Sequence, residues 1–310
     1  MSTALPKALP PIYLLDGGLG TTLADHYGCT FNDTTPLWSS QLLLSDPTTL
    51  LQAQTGFAKA GADIILSATY QASYAGFTQS GVEAQGAEKA MRSAVCIARD
   101  SFEGRKGKVA LSLGAYGAVM IPSQEYSGKY DDVHVTSEQL RAWHRRRAEV
   151  FCNDQDSWEE VNFVAFETLP LLAEIFAVRD VMGDIVGLGD EKQFWISCVF
   201  PGEGNCLPDG SSVREVMKAM LGEREGARTP MAVGINCTKV GKVGGLIEEF
   251  EGAVGDLVES GEVQEWPSLV VYPDGTYGEV YNTTTKEWEC QEEKGSSVTF
   301  NTFVITERED

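Results

Sequence analysis

Histidine is scarce in this chain, with three in 310 residues. None of the three, His26, His134 and His144, follows an apolar run, and no HExxH motif occurs. That excludes Ser-His-Asp chemistry and histidine-based metal sites as first readings. The seven cysteines are odd in number and contain no CxxC pair. They read as thiols of a reducing compartment, which points to a cytoplasmic protein rather than a disulfide scaffold. No apolar stretch reaches the ~20 residues of a membrane span. The opening MSTALPKALPP lacks the apolar core of a signal peptide, so residues 1–11 are expected to form a disordered leader. Basic residues are few, 24 Lys and Arg against 45 Asp and Glu, for a formal charge of −21. Nucleic acid and anionic membranes are thereby excluded as partners. There is also no GxGxxG or P-loop pattern, no Gly-, Pro- or Ser-rich linker, and no internal repeat.

What the chain does have is seven short apolar runs, each stopping at a small, polar or reactive residue. IYLL ends at Asp16, DIILSA at Thr69, VALSL at Gly114 and NFVAF at Glu167. FWIS ends at Ser197, MAVGI at Asn236-Cys237, and SLVV at Tyr272-Pro273. Continuous runs of this length fit strands buried on both faces of a parallel sheet. In such folds the C-terminal strand ends meet on one rim, so Asp16, Glu167 and Cys237 are expected to share a pocket.

Helical patterns alternate with the runs. Asp46-Pro47 reads as an N-cap with Pro at the first helical position, and Gly61 as the end of that helix. Further helices are expected over about Val82–Phe102, from the Thr136/Gln139 capping box, after Pro170, over Val213–Leu221 and over Gly244–Val258. The Arg145-Arg146-Arg147 cluster reads as a solvated helix face. The βα alternation predicts an α/β fold of the TIM (β/α)8 type. Seven repeats leave it incomplete or irregular at the eighth βα unit. After Tyr272 the chain is turn-rich and polar, with one β-like run, VTFNTFVIT, that can fill part of the gap. The expected organisation is a barrel over 12–289 and an atypical tail over 290–310.

Each strand-end motif has a plain reading beside a functional one. Asp16 in LLDGGLGTTL either binds a ligand ammonium group, with the glycines allowing close approach, or caps a βα turn. Tyr70, Tyr74 and Phe77 in ATYQASYAGF either form an aromatic wall for a methylated cation or pack a loop. Tyr116 in SLGAYGA points to the same rim. Glu167 in FETLP either meets a cation or caps the helix opened by Pro170. Cys237 in GINCT is a zinc ligand, a nucleophile or an inert core thiol.

Taken in order, LLDGGLGTTL, ATYQASYAGF, SLGAYGA with EYSGKY, FETLPLLAE, VGINC and VVYPDGTYGEVYN resemble the homocysteine S-methyltransferase family over residues 12–289. The resemblance implies a TIM barrel and zinc held by three cysteine thiolates, one in GxNC and two in a later GGCC. It further implies a homocysteine thiol activated by the metal to attack the methyl group of S-methylmethionine or S-adenosylmethionine, giving methionine. By position, Cys237 is the first zinc ligand and the catalytic cysteine. Asp16 and Glu167 hold the homocysteine ammonium group, Asn236 supports the metal side, and Tyr70 and Tyr116 serve the sulfonium donor.

The GGCC pair is absent from the chain. Cys290 and Cys198 each offer one substitute thiol, and neither forms an adjacent pair. Ala115 stands where the family usually has Pro. Weak zinc binding and little turnover are expected. The alternatives are a non-catalytic homocysteine-binding relative, a truncated or alternatively spliced product, or an enzyme acting on another thiol or a selenol.

Overall fold

The computed structural model describes residues 12–32, 35–186 and 192–275, together with the backbone of strands 279–282, 287–290 and 304–306. The expected leader, 1–11, lies outside the described residues. In chain order the elements begin with β1 (Ile12–Leu14), α1 (Leu19–Tyr27), α2 (Leu42–Ser45) and α3 (Pro47–Ala60). There follow β2 (Ile64–Leu66), α4 (Tyr74–Gln79), α5 (Ala84–Asp100), β3 (Lys108–Gly114), α6 (Ser137–Cys152), α7 (Gln155–Glu160) and β4 (Phe163–Leu169). The chain continues through α8 (Leu172–Val186), β5 (Gln193–Cys198), α9 (Val213–Leu221), β6 (Ala232–Lys239), α10 (Val240–Glu259) and β7 (Ser268–Asp274). Last come the short strands β8 (Glu279–Asn282), β9 (Glu287–Cys290) and β10 (Val304–Thr306).

Local chemistry sets the helix ends. Asp46 accepts the Thr49 amide, and Gly61 closes α3 in the left-handed conformation. Thr136 and Gln139 complete a reciprocal capping box on α6, as Ser212 and Glu215 do on α9.

The strands β2 to β7 run parallel in one sheet of order β1-β10-β7-β6-β5-β4-β3-β2. The eighth position is taken by β10, from the VTFNTFVIT run, antiparallel to both β1 and β7. A parallel bridge from Leu15 to Ile64 joins the two ends of that order, so the strands form a ring. This is the TIM-type barrel with an irregular eighth unit. β8 and β9 pair with each other outside it.

Side chains alternate across each strand. Inward positions form the barrel interior: Ala110, Phe163, Ala165, Trp195, Ala232 and Val270, with small residues making room for Trp195. Lys108 lays its ammonium over the Tyr13 and Phe163 rings at the N-terminal end. Outward positions such as Val164, Phe166, Phe194, Ile196 and Ile235 pack against the helices in the larger core.

The basic cluster on α6 departs from the solvated reading. Arg145 pairs with Glu149, but Arg147 is buried with Leu140, His144 and Phe151 on the inner face of the helix. Its guanidinium donates to the carbonyls of Gly114, Thr69 and Tyr70 at 2.8, 3.1 and 3.0 Å. It therefore ties the ends of β2 and β3 together. Main-chain carbonyls at a strand end need donors, and a sequence pattern does not show which distant side chain supplies them.

Candidate active site at the barrel mouth

Asp16, Glu167, Asn236 and Cys237 arrive at one end of the ring from β1, β4 and β6. Asp16 does not cap α1, whose N-terminus has no side-chain cap. Instead its Oδ2 accepts the Leu66 amide at 2.9 Å, across to β2. Nor does Glu167 cap α8, because the Leu172 amide goes to Asp209. Glu167 Oε2 accepts from Ser112 Oγ at 2.9 Å, and Oε1 is buried without a hydrogen-bond partner. The glycine after Asp16 serves packing, since a Cβ at Gly17 would stand 2.8 Å from the Phe57 ring.

Burial lifts both carboxyls. Asp16 is held well above the usual carboxylate range, first by desolvation and further by the charge of Glu167. Glu167 is pushed up to about 7 by burial, with the Ser112 and Tyr272 hydroxyls offsetting part of the effect. Two mutually repelling buried carboxyls, one with an oxygen that lacks a hydrogen-bond partner, are an arrangement that a cation would neutralise.

Cys237 reaches the mouth by a backbone irregularity. Regular alternation after Gly234 would turn it outward, toward the helices. Instead β6 carries one extra residue against β7 between Asn236 and Lys239, and Cys237 has φ +47°. β4 does the same against β5, with Thr168 at φ +61°. Non-glycine residues seldom adopt this conformation, and such strain clusters at functional sites. A clasp holds the two bulges together. Asn236 accepts the Thr168 amide at 2.9 Å and donates Nδ2 to Thr168 Oγ1 at 2.6 Å and toward Cys237 Sγ at 3.3 Å. Burial pushes the Cys237 thiol up to about 11, partly offset by the Thr168 and Tyr126 hydroxyls.

Aromatic rings complete the mouth. The Tyr70 hydroxyl is bonded to Thr168, close enough to Cys237 to feel its charge. Gly114 makes room for it, since a Cβ there would lie 2.7 Å from the Tyr70 ring. Tyr272 shares a hydrogen bond with Ser197 Oγ at 2.5 Å and stands beside Glu167. Tyr126 keeps 40% of its surface exposed while its hydroxyl meets Cys237, so it forms the rim. Tyr126 and Tyr272 lie within quoted motifs, but nothing in their spacing marks them as site residues. Tyr116 is not brought to this mouth. Its hydroxyl donates to Asp131, and its ring stacks on His134 at 4.0 Å and meets Trp143 edge-on.

Among the described residues, which do not include the Cys290 side chain, the donor set does not make a three-ligand zinc site. Among the described residues no three His, Cys, Asp or Glu side chains converge. Cys198 faces the outer core, not the mouth. The neighbours of Cys237 are an amide and hydroxyls, poor zinc donors beside thiolate or imidazole. The direction of β10 also differs from a regular eighth strand. It runs away from the mouth, and its last residue, Thr306, pairs with Ile12 at the far end of β1.

The family model described as homocysteine S-methyltransferase matches residues 13–305. The chain belongs to the homocysteine S-methyltransferase family. Homocysteine S-methyltransferase 2 of Arabidopsis thaliana is 33% identical over 294 residues, covering 89% of this chain and 79% of the relative. Selenocysteine Se-methyltransferase of Brassica oleracea var. italica is 33% identical over 291 residues, covering 89% and 75%. Homocysteine S-methyltransferase YbgG of Bacillus subtilis is 30% identical over 301 residues, covering 93% and 85%. Among solved structures, the metallated form of the homocysteine methyltransferase MmuM from Escherichia coli superposes with TM-score 0.67 at 28% identity, covering 84% of this chain and 83% of that one.

Proposed function

We propose that the barrel mouth binds homocysteine and that the family reaction here is methyl transfer from a sulfonium donor, S-methylmethionine or S-adenosylmethionine, to the homocysteine thiol. The observation that carries this reading is the buried, partnerless Glu167 Oε1 beside Asp16. An amino acid's ammonium group satisfies both carboxyls at once. Its side-chain sulfur then extends toward Cys237 and the Asn236–Thr168 clasp. Tyr70, Tyr126 and Tyr272 offer ring faces that suit a cationic sulfonium. In the transfer, the acceptor sulfur forms a bond to the methyl carbon as the donor's carbon–sulfur bond breaks. The donor leaves as a neutral thioether, and the acceptor's proton goes to solvent.

In the family zinc supplies the thiolate. Here Cys237 would be its one thiol ligand among the described residues. That donor set favours a second reading, a homocysteine-binding relative with little or no turnover. The selenocysteine-specific relative in Brassica keeps a selenol acceptor in view, since a selenol ionises without a metal. A place in methionine formation and a cytoplasmic location are part of the proposal, the latter supported by the unpaired cysteines.

The test is methionine formation from homocysteine and S-methylmethionine, with zinc or a chelator, alongside calorimetric titration of homocysteine. Chelator-sensitive turnover supports the enzyme. Chelator-independent binding without turnover assigns the second reading. Absence of homocysteine binding overturns both.

A further inference from the structure

Outside the barrel mouth, α4, the segment after β3 and α6 enclose a pocket of about 480 Å³. Its walls are the rings of Tyr74, Tyr116, His134 and Trp143, and Arg146 and Arg147 face it from α6. Arg146 is exposed and lies over the Tyr74 ring at 4.3 Å. Arg147 is 2% exposed, lies 4.7 Å from the Trp143 ring, and its Nε has no hydrogen-bond acceptor. Its guanidinium donates to backbone carbonyls and to no carboxylate among the described residues.

The lining holds one carboxylate among the described residues, Asp131, and it is already committed. Asp131 accepts from the Tyr116 hydroxyl, the His134 ring and the amides of Val133 and His134. Glu88, behind Tyr74, is likewise taken by the Tyr74 hydroxyl and Arg92. Arg146 therefore stands at the pocket with no free carboxylate among the described lining residues, beside aromatic rings, on a chain of charge −21. Stacking surfaces recognise a ring, and guanidinium recognises a carboxylate.

We infer that this pocket is a second ligand site, for an aromatic acid whose ring packs against the side chains of Tyr74, Tyr116 and Trp143 and whose carboxylate meets Arg146. The site is independent of the amino-acid receptor at the mouth, and no group of the mouth lines it. Its floor, Arg147, holds the strand ends that carry Tyr70 and Gly114.

The test is calorimetric titration of the full chain with 4-hydroxybenzoate, the neutral 4-hydroxybenzamide and the cationic benzylamine. The acid is expected to bind saturably and about tenfold or more tightly than the amide, the scale of a charge-assisted hydrogen bond. Arg146→Ala and Trp143→Ala should each weaken it by about tenfold or more. Arg145→Ala, one residue away and paired with Glu149, should leave it unchanged. Arg146 is exposed, so its replacement is expected to fold, and circular dichroism checks this. No saturable binding of the acid, equal binding of all three probes, or an unaltered affinity in folded Arg146→Ala would overturn the inference.

Discussion

Glu167 sets a pH dependence that can be measured without turnover. Its carboxyl is lifted from an ordinary 4.5 to about 7 by burial. Below pH 4.5 the group is protonated in both the folded and the unfolded chain and has no effect. Between 4.5 and about 7 the unfolded chain releases the proton while the folded one keeps it, so stability falls as pH rises. Above that range both are ionised and the loss is complete. The displacement from 4.5 to about 7 corresponds to about 3 kcal/mol. Asp16 is raised too and adds in the same direction. Glu167→Gln removes the first contribution and, by removing a neighbouring charge, shrinks the second. Urea unfolding at pH 5 and pH 8 should therefore show the wild type losing at least about 2–3 kcal/mol more than Glu167→Gln. Homocysteine at pH 8 should recover much of the loss in the wild type and little in the variant, because its ammonium group supplies the missing countercharge. Parallel losses in the two proteins would refute the reasoning.

Cys237, with its thiol at about 11, should react slowly with iodoacetamide at pH 7 and faster as pH rises past 9, read by peptide mass spectrometry. Asn236→Ala breaks both sides of the clasp and should cost about 1–3 kcal/mol in urea unfolding. It should also reduce homocysteine affinity, because Thr168 and Cys237 then lose what holds their strained backbone. Arg147→Met removes the guanidinium from the Gly114, Thr69 and Tyr70 carbonyls, of which the last two keep the Ala72 and Gly114 amides as donors. With one buried carbonyl left unsatisfied, it should cost about 1–3 kcal/mol in unfolding free energy.

Much of this was legible in the residues. Seven apolar runs became seven parallel strands, because a strand buried on both faces needs an unbroken apolar sequence. Caps at Asp46 and Thr136 act locally, within three or four residues, and so could be read directly. That the strand ends carrying Asp16, Glu167 and Cys237 meet on one rim followed from topology alone. Long-range choices were less visible. Strict alternation aims Cys237 at the helices, and only a bulge turns it to the mouth. Tyr116 and Tyr126 sit in the same stretch, yet their roles are divided by where one loop folds. Arg147 looked like its solvated neighbour Arg145, because nothing local reveals that three carbonyls from other strands lie opposite.

The antiparallel β10 has a consequence for how the chain reaches its native state. Ile12 pairs with Thr306, so the first strand of the ring pairs with the last one in chain order. During synthesis β1 and β7 each present an unpaired edge until that late segment emerges. Pairings of such long sequence separation form slowly, and open edges recruit other chains. The ring is thus sealed only once Val304–Thr306 is available, and nascent chains stalled before Val304 would be the species most exposed to aggregation and most dependent on chaperones.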